Sequence, residues 1–269
     1  MNRIFALLFV SLLLPSVSQA EIIVLTHGYL GSSNSWIKPG ILQQLNQAGY
    51  PHNGSYTFSQ RKISFAGTNP SPQAEQKAVY TVNLPSIIPV HNQADWLAAY
   101  LADLSIRHPK TAVTVIGHSA GGVAARLMLV RNGKGNVSKL ITIASPHLGT
   151  PRADQAISAT NNGGMLGWAR GWAVRRYTGG HMYNTLQASR GLLNDLTPPR
   201  PGNMLFWLNQ QPHPELDYIS IVRSSDQVVP PVSQDMNRVP ALSGKAETHI
   251  VAPGHFLRPK DAQLLLELL

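Results

Sequence analysis

Residues 111–122 run TAVTVIGHSAGG, and the order of side chains in this stretch decides the architecture. Residues 111–116 carry β-branched and small apolar side chains that suit a buried strand, whereas 120–131 form a helix that is apolar nearly all round. Between them Gly117, Ser119 and Gly121 follow the spacing GxSxG, which holds a serine on a sharp strand-to-helix turn. Such a turn imposes strained backbone angles, and neighbouring chain can pack against it only if the positions two before and two after the serine lack side chains. Gly117 and Gly121 meet that need. The turn puts the Ser119 hydroxyl in the open at a helix N-terminus, where unpaired N–H groups favour negative charge. Residues 139–144 (KLITIA) read as the next strand, and strand, helix, strand in succession means a parallel sheet.

On the N-terminal side, Glu21–Thr26 (EIIVLT) is a β-branched run, 41–48 is helical, and short β-like pieces lie near 55–58 and 62–65. Ala94, Leu97, Leu101 and Leu104 recur at helical spacing between His91 and Arg107, and Pro109 stops the pattern. Beyond Pro151 the rhythm fails until about Pro214, in a segment rich in Gly, Asn, Arg and aromatic residues that reads as an insertion over the core. Regularity returns with strands at 217–223 and 247–252 and a C-terminal helix after Pro259. The expected fold is α/β: a mostly parallel sheet flanked by helices, one domain over 21–269, with a cap or lid insertion at about 151–214. An open sheet of this kind places its site at the carboxyl ends of the strands.

Composition narrows the chemistry. Of 269 residues, 43% are hydrophobic and 13% charged, far from the pattern of a disordered chain. There is no cysteine, which excludes a thiol nucleophile, a disulfide framework and any zinc site built on sulfur. The net charge of +9 suggests attraction to anionic surfaces such as phospholipid headgroups, but no Lys/Arg block or interleaving of basic and aromatic residues indicates nucleic-acid binding. Residues 1–20 combine Arg3, an apolar run at 4–14, the break at Pro15, and small residues Ser18 and Ala20 at the two positions that determine cleavage. They read as a secretory signal peptide cut after Ala20, and the expected location is the periplasm or the medium.

A serine hydroxyl is a poor nucleophile unless a base takes its proton and an acid fixes the base in one tautomer. Among ten histidines, His255 in Pro253-Gly254-His255-Phe256 lies in a loop between the last strand and the last helix, hence at the active edge. His249 falls inside a strand, where a packed histidine is expected, and His118 is expected to point elsewhere. The acid should lie between nucleophile and base, and Asp226 ends the strand at 217–223; Asp217 and Asp235 are reserves. The chain order Ser119, Asp226, His255 is the one expected for such a triad on an α/β sheet. The loop His27-Gly28-Tyr29-Leu30-Gly31 follows the first strand, and the amides of Tyr29 and Ala120 are the natural donors for an oxyanion.

With these pieces in view, the sequence resembles bacterial lipases and esterases of the α/β-hydrolase fold family, through HGYLG at 27–31, GHSAGG at 117–122, ASPHLGTP at 144–151, LLNDLTP at 192–198, SSDQVVP at 224–230 and PGHF at 253–256. The resemblance implies cleavage of lipid or other apolar acyl esters, with Ser119, Asp226 and His255 as the triad and the Tyr29 and Ala120 amides as the oxyanion hole. The leading strands of larger hydrolases are expected to be absent. No cofactor and no obligatory metal are expected, because no aspartate pair matches a calcium site. The same triad serves acyl transfer and thioester or amide cleavage, and a non-catalytic lipid-binding protein is the reading from another class. Trp168, Trp172 and Trp207 in the insertion suit either a lipid-facing lid or a small core of their own.

Overall fold

The computed structural model describes residues 21–59, 62–68, 77–161 and 180–269. Trp168, Trp172 and Tyr177 lie outside the described residues. The strands are β1 (Glu21–Thr26), β2 (His52–Ser59), β3 (Lys62–Gly67), β4 (Ala78–Asn83), β5 (Ala112–His118), β6 (Val137–Ile143), β7 (Asp217–Arg223) and β8 (Ala246–Val251). Among the described residues the α-helices are α1 (Asn34–Ile37), α2 (Ile41–Gln47), α3 (Val90–Arg107), α4 (Ala120–Asn132), α5 (Pro151–Ala159), α6 (Gly180–Ala188), α7 (Arg190–Asp195), α8 (Met204–Leu208), α9 (Pro231–Gln234) and α10 (Pro259–Leu268).

One sheet carries the order β3-β2-β4-β1-β5-β6-β7-β8. All of its pairings are parallel except β2 with β3, which form an antiparallel hairpin on the outer edge. No strand is expected from the sequence at Ala78–Asn83, yet β4 is buried and pairs with both β1 and β2. Its run AVYTVN has the strand composition, but it follows a polar, Pro-containing stretch at 68–77 that masks the rhythm.

The middle of the sheet is covered on both faces, which explains why β1, β5, β6 and β7 are largely apolar along their length rather than alternating. Along β1, Ile22 and Val24 join the core packed by Leu97, Tyr100 and Leu104 of α3 and Val123 and Leu127 of α4. Ile23 and Leu25 point to the opposite core, closed by Ile41 and Leu45 of α2 and Ala262 and Leu265 of α10. Period-two alternation in the strand therefore divides its side chains between two layers of helices. No helix of the described residues is long and apolar enough to cross a membrane.

The segment between β6 and β7 contributes α5 to α8. The motifs 144–151 and 192–198, which lie far apart in sequence, pack on each other here. The Thr150 N–H donates to the Leu196 carbonyl at 2.8 Å, and a Cβ on Gly149, which sits at φ +72°, would meet the Thr197 carbonyl oxygen at 2.4 Å. Leu192, Leu193 and Leu196 are buried, and Asp195 Oδ2 accepts from the Val90 N–H at 2.7 Å, satisfying the first turn of α3.

Candidate active site

The turn at residues 117–122 holds its serine by sterics. Ser119 has φ 53° and ψ −129°, a region non-glycine residues seldom occupy, and its N–H donates to the Ile143 carbonyl at 2.8 Å. A Cβ on Gly117 would lie 2.4 Å from Gly122 Cα, and one on Gly121 would lie 2.3 Å from the His27 carbonyl oxygen. Both contacts are with backbone, which cannot swing aside, so the GxSxG glycines are required by close approach. Ser119 stands at the N-cap of α4, yet its hydroxyl makes no capping hydrogen bond to the helix. The hydroxyl instead meets His255.

Loops from three strand ends converge on that hydroxyl. His255 Nε2 lies 3.1 Å from Ser119 Oγ, and His255 Nδ1 lies 2.7 Å from Asp226 Oδ2. The Asp226 side chain is fully buried at 0% exposure, and its other oxygen, Oδ1, accepts from the Val228 and Val229 N–H groups at 2.7 and 3.0 Å. These contacts fix the plane of the carboxylate. The structure thus brings Ser119, Asp226 and His255 together at one rim. Asp217 starts β7 at the opposite end of the sheet from this rim, and Asp235 Oδ1 is engaged by the Asn237 N–H and the Thr248 hydroxyl, both at 2.9 Å. His249 sits on β8 with its ring 2.7 Å from Glu247 Oε1.

Two side chains outside the sequence assignment shape the site. His118, expected to point elsewhere, turns towards the His255 loop: its Nε2–H donates to the His255 carbonyl at 2.9 Å, and the two rings lie 5.2 Å apart. Burial pushes His118 down to about 3, so it stays neutral and can act as a fixed donor. Gln234, buried on α9, donates from Nε2 to Asp226 Oδ2 at 3.1 Å and to the Val229 carbonyl at 2.7 Å, while its Oε1 accepts from the Arg223 N–H at 2.8 Å. The Arg223 guanidinium makes a buried bidentate pair with Asp261 at 2.9 and 2.6 Å and also donates to the Phe256 carbonyl at 3.2 Å. The carbonyls of residues 255 and 256 are therefore both held by buried donors. His118 adjoins the serine in sequence, but nothing there shows that its ring turns to a carbonyl 137 residues away, and Gln234 carried no signal.

The loop 27–31 lies directly over the serine. A Cβ on Gly28 would meet Ser119 Cβ at 2.7 Å, and the Gly31 N–H closes a turn by donating to the Gly28 carbonyl at 3.0 Å. Burial depresses the His27 pKa, and the neutral ring donates from Nδ1 to the Gly28 carbonyl at 3.0 Å while its Nε2 accepts from the Leu84 N–H at 3.1 Å. Tyr29 lines the same cavity as Ser119, and its hydroxyl donates to Ser189 Oγ at 3.1 Å. Ala120 opens α4, where the N–H groups of the first turn have no partner within the helix. The cavity, of about 460 Å³, is walled mainly by Tyr29, Leu30, Pro39, Val228, Phe256 and Leu257. Leu30 and Phe256 stand on its rim with 48% and 75% of their surface exposed.

A family model described as alpha/beta hydrolase fold matches residues 21–178, more than half of the chain. The chain belongs to the alpha/beta hydrolase fold family. Among curated proteins, the hydrolase is 32% identical over 111 residues to GPI inositol-deacylase A of Yarrowia lipolytica; that match covers 37% of this chain and 10% of the relative, so the chain spans only a small part of its length. Among solved structures it resembles the lin2722 product of Listeria innocua (TM-score 0.63, 18% identity, covering 92% of each chain). It also resembles the mature lipase BlEst2 of Bacillus licheniformis (TM-score 0.61, 16% identity, covering 95% of this chain and 94% of that one). A third neighbour is the esterase EaEST of Exiguobacterium antarcticum (TM-score 0.54, 18% identity, covering 93% and 92%). At these identities the structural likeness speaks to the fold.

Proposed function

We propose that the hydrolase cleaves carboxylic esters of lipids or other apolar acyl groups through an acyl-enzyme, and that it works outside the cytoplasm after removal of residues 1–20. The observation that carries the reading is the continuous path from Asp226 Oδ2 through the His255 ring to Ser119 Oγ, with separations of 2.7 and 3.1 Å. His255 Nε2 takes the proton as Ser119 Oγ attacks the ester carbonyl carbon, and Asp226 stabilises the imidazolium and holds its tautomer. The negative oxygen of the tetrahedral intermediate receives the N–H groups of Tyr29 and Ala120. The carbon–oxygen bond to the alcohol breaks as His255 returns the proton to the leaving oxygen. Water, deprotonated by His255, then attacks the acyl-enzyme and frees Ser119 and the acid. The apolar walls of the cavity and the exposed Leu30 and Phe256 on its rim support an apolar acyl group, and the name of the deacylase relative is compatible with this chemistry. The positive charge of the chain supports transient contact with anionic lipid surfaces.

The test is Ser119→Ala in purified protein, read with p-nitrophenyl esters from acetyl to palmitoyl. Hydrolysis should drop by about 10⁴–10⁶-fold with the fold intact. A variant as active as the parent overturns the reading. Product analysis with a competing alcohol separates hydrolysis from acyl transfer.

A further inference from the structure

The loop over the serine contains a residue that its surroundings must hold in place. Leu30 has φ 56°, in the left-handed region, although its side chain stands half in solvent where packing cannot force it. Such a conformation persists only when neighbouring contacts impose it. On one side His27 Nε2 accepts from the Leu84 N–H at 3.1 Å, and on the other the Gly31 N–H closes the turn onto the Gly28 carbonyl at 3.0 Å. Tyr29, between them, reaches out of the loop. Its hydroxyl donates to Ser189 Oγ at 3.1 Å, across 160 residues of sequence.

Ser189 is a fixed post. It is fully buried at the junction of α6 and α7, where its N–H donates to the Thr185 carbonyl at 3.0 Å and its carbonyl accepts from the Leu193 N–H at 2.9 Å. The helix that follows is clamped to the start of α3: a Cβ on Gly191 would meet Pro89 Cγ at 2.7 Å, and Asp195 Oδ2 accepts from the Val90 N–H at 2.7 Å. A serine at a helix N-cap usually turns its oxygen to the N–H groups of the first turn. Ser189 stands at the N-cap of α7 but makes no such bond. Its hydroxyl donates backwards to the Thr185 carbonyl at 2.7 Å, which leaves its lone pairs for Tyr29. The protons therefore run one way, from Tyr29 to Ser189 to Thr185.

We propose that Ser189 is a positioning residue for the oxyanion: by gripping the Tyr29 phenol it sets where the Tyr29 N–H lies over Ser119. This rests on the ester cleavage proposed above, in which that N–H receives the negative oxygen. A donor stabilises developing charge only if it is aimed before the charge appears, and the phenol and the N–H belong to one residue, so anchoring one end orients the other. The acyl group is held by other walls of the cavity, among them Val228, Phe256 and Leu257. Releasing the anchor thus acts on the transition state and spares substrate binding.

The test compares Ser189→Ala, Tyr29→Phe and the double variant in full-length protein with p-nitrophenyl butyrate. Each single variant should lower kcat about tenfold with KM within about twofold, a smaller loss than the ~10²-fold of a donor removed outright. The double variant should be no slower than the slower single one, because both changes cut the same bond. An alkyl boronic acid gives the second readout: Ser119 Oγ adds to the trigonal boron as His255 takes the proton, no group leaves, and the tetrahedral anion sets an oxygen where the oxyanion forms. Its inhibition should weaken by the same factor as kcat. Tyr29→Phe keeps both readouts available if Ser189→Ala does not fold. Full kcat in the single variants, losses that multiply in the double variant, or a lower kcat with unchanged boronic acid inhibition overturns the proposal. A parent protein that neither cleaves the ester nor takes up the boronic acid fails the proposed function itself, and the role of Ser189 with it.

Discussion

The serine turn and the two loops that face it are held in place by different forces. At 117–122 the restraint is steric and local: backbone lies within 2.3–2.4 Å of where a glycine Cβ would stand, and Ser119 is fixed at φ 53° between β5 and α4. At 226 and 255 the restraint is a web of directional hydrogen bonds from His118, Gln234 and Arg223, groups brought in from β5, α9 and β7. The position of Ser119 should therefore fail through loss of folding, whereas Asp226 and His255 should fail through loss of alignment in a protein that still folds.

The sharpest way to probe the second half of this contrast is Asp226→Asn, which keeps the shape but cannot hold the His255 tautomer. It should lower kcat by about 10³–10⁴-fold while the urea midpoint stays near that of the parent. Equal losses of rate and stability would erase the distinction. The first half is tested by Gly121→Ala, which forces a methyl group into the His27 carbonyl oxygen, 2.3 Å away. This should cost about 1–3 kcal/mol of stability by chemical denaturation, as overpacking against immobile backbone does. A variant of unchanged midpoint would mean that the turn relaxes. A smaller effect is expected from Gln234→Leu, which removes one donor from Asp226: kcat about tenfold lower with KM unchanged, since a slightly misplaced base impairs proton transfer without altering the cavity wall.

The smallest effect concerns acid. With its pKa pushed down to about 3, His118 stays neutral in the native protein while the unfolded chain takes up a proton below about 6.5. Stability from this group is complete above 6.5 and is lost as the pH falls towards 3. Between pH 6.5 and 5.5 the parent should therefore lose about 1 kcal/mol more than His118→Gln, measured by urea unfolding in gluconate. Parallel slopes would show that the ring is not shielded.

This division also explains what could be read from the chain. The steric half was legible, because close backbone approach leaves glycines at fixed spacing, and β1, β5, β6 and β7 leave runs of apolar side chains. Asp226 and His255, which the structure brings together with Ser119, could be singled out because loops at strand ends are few and both sit on them. The bracing of the base was not legible: His118 reaches a carbonyl 137 residues away, and Gln234 looks like any surface amide until α9 carries it inward. The edge hairpin was half visible, as two β-like pieces, but its parallel docking on β4 depends on a strand whose signal is blurred by the polar run before it.

The bidentate pair of Arg223 with Asp261 has a practical side. Asp261 belongs to the final helix, Arg223 also grips the Phe256 carbonyl, and Lys139 donates to the Leu268 carbonyl at 2.5 Å. The final helix is thus a lever whose short arm ends one residue from the His255 ring. Anchoring the enzyme to a bead by its last residues would pull on that lever, and attachment elsewhere on the surface would leave it at rest.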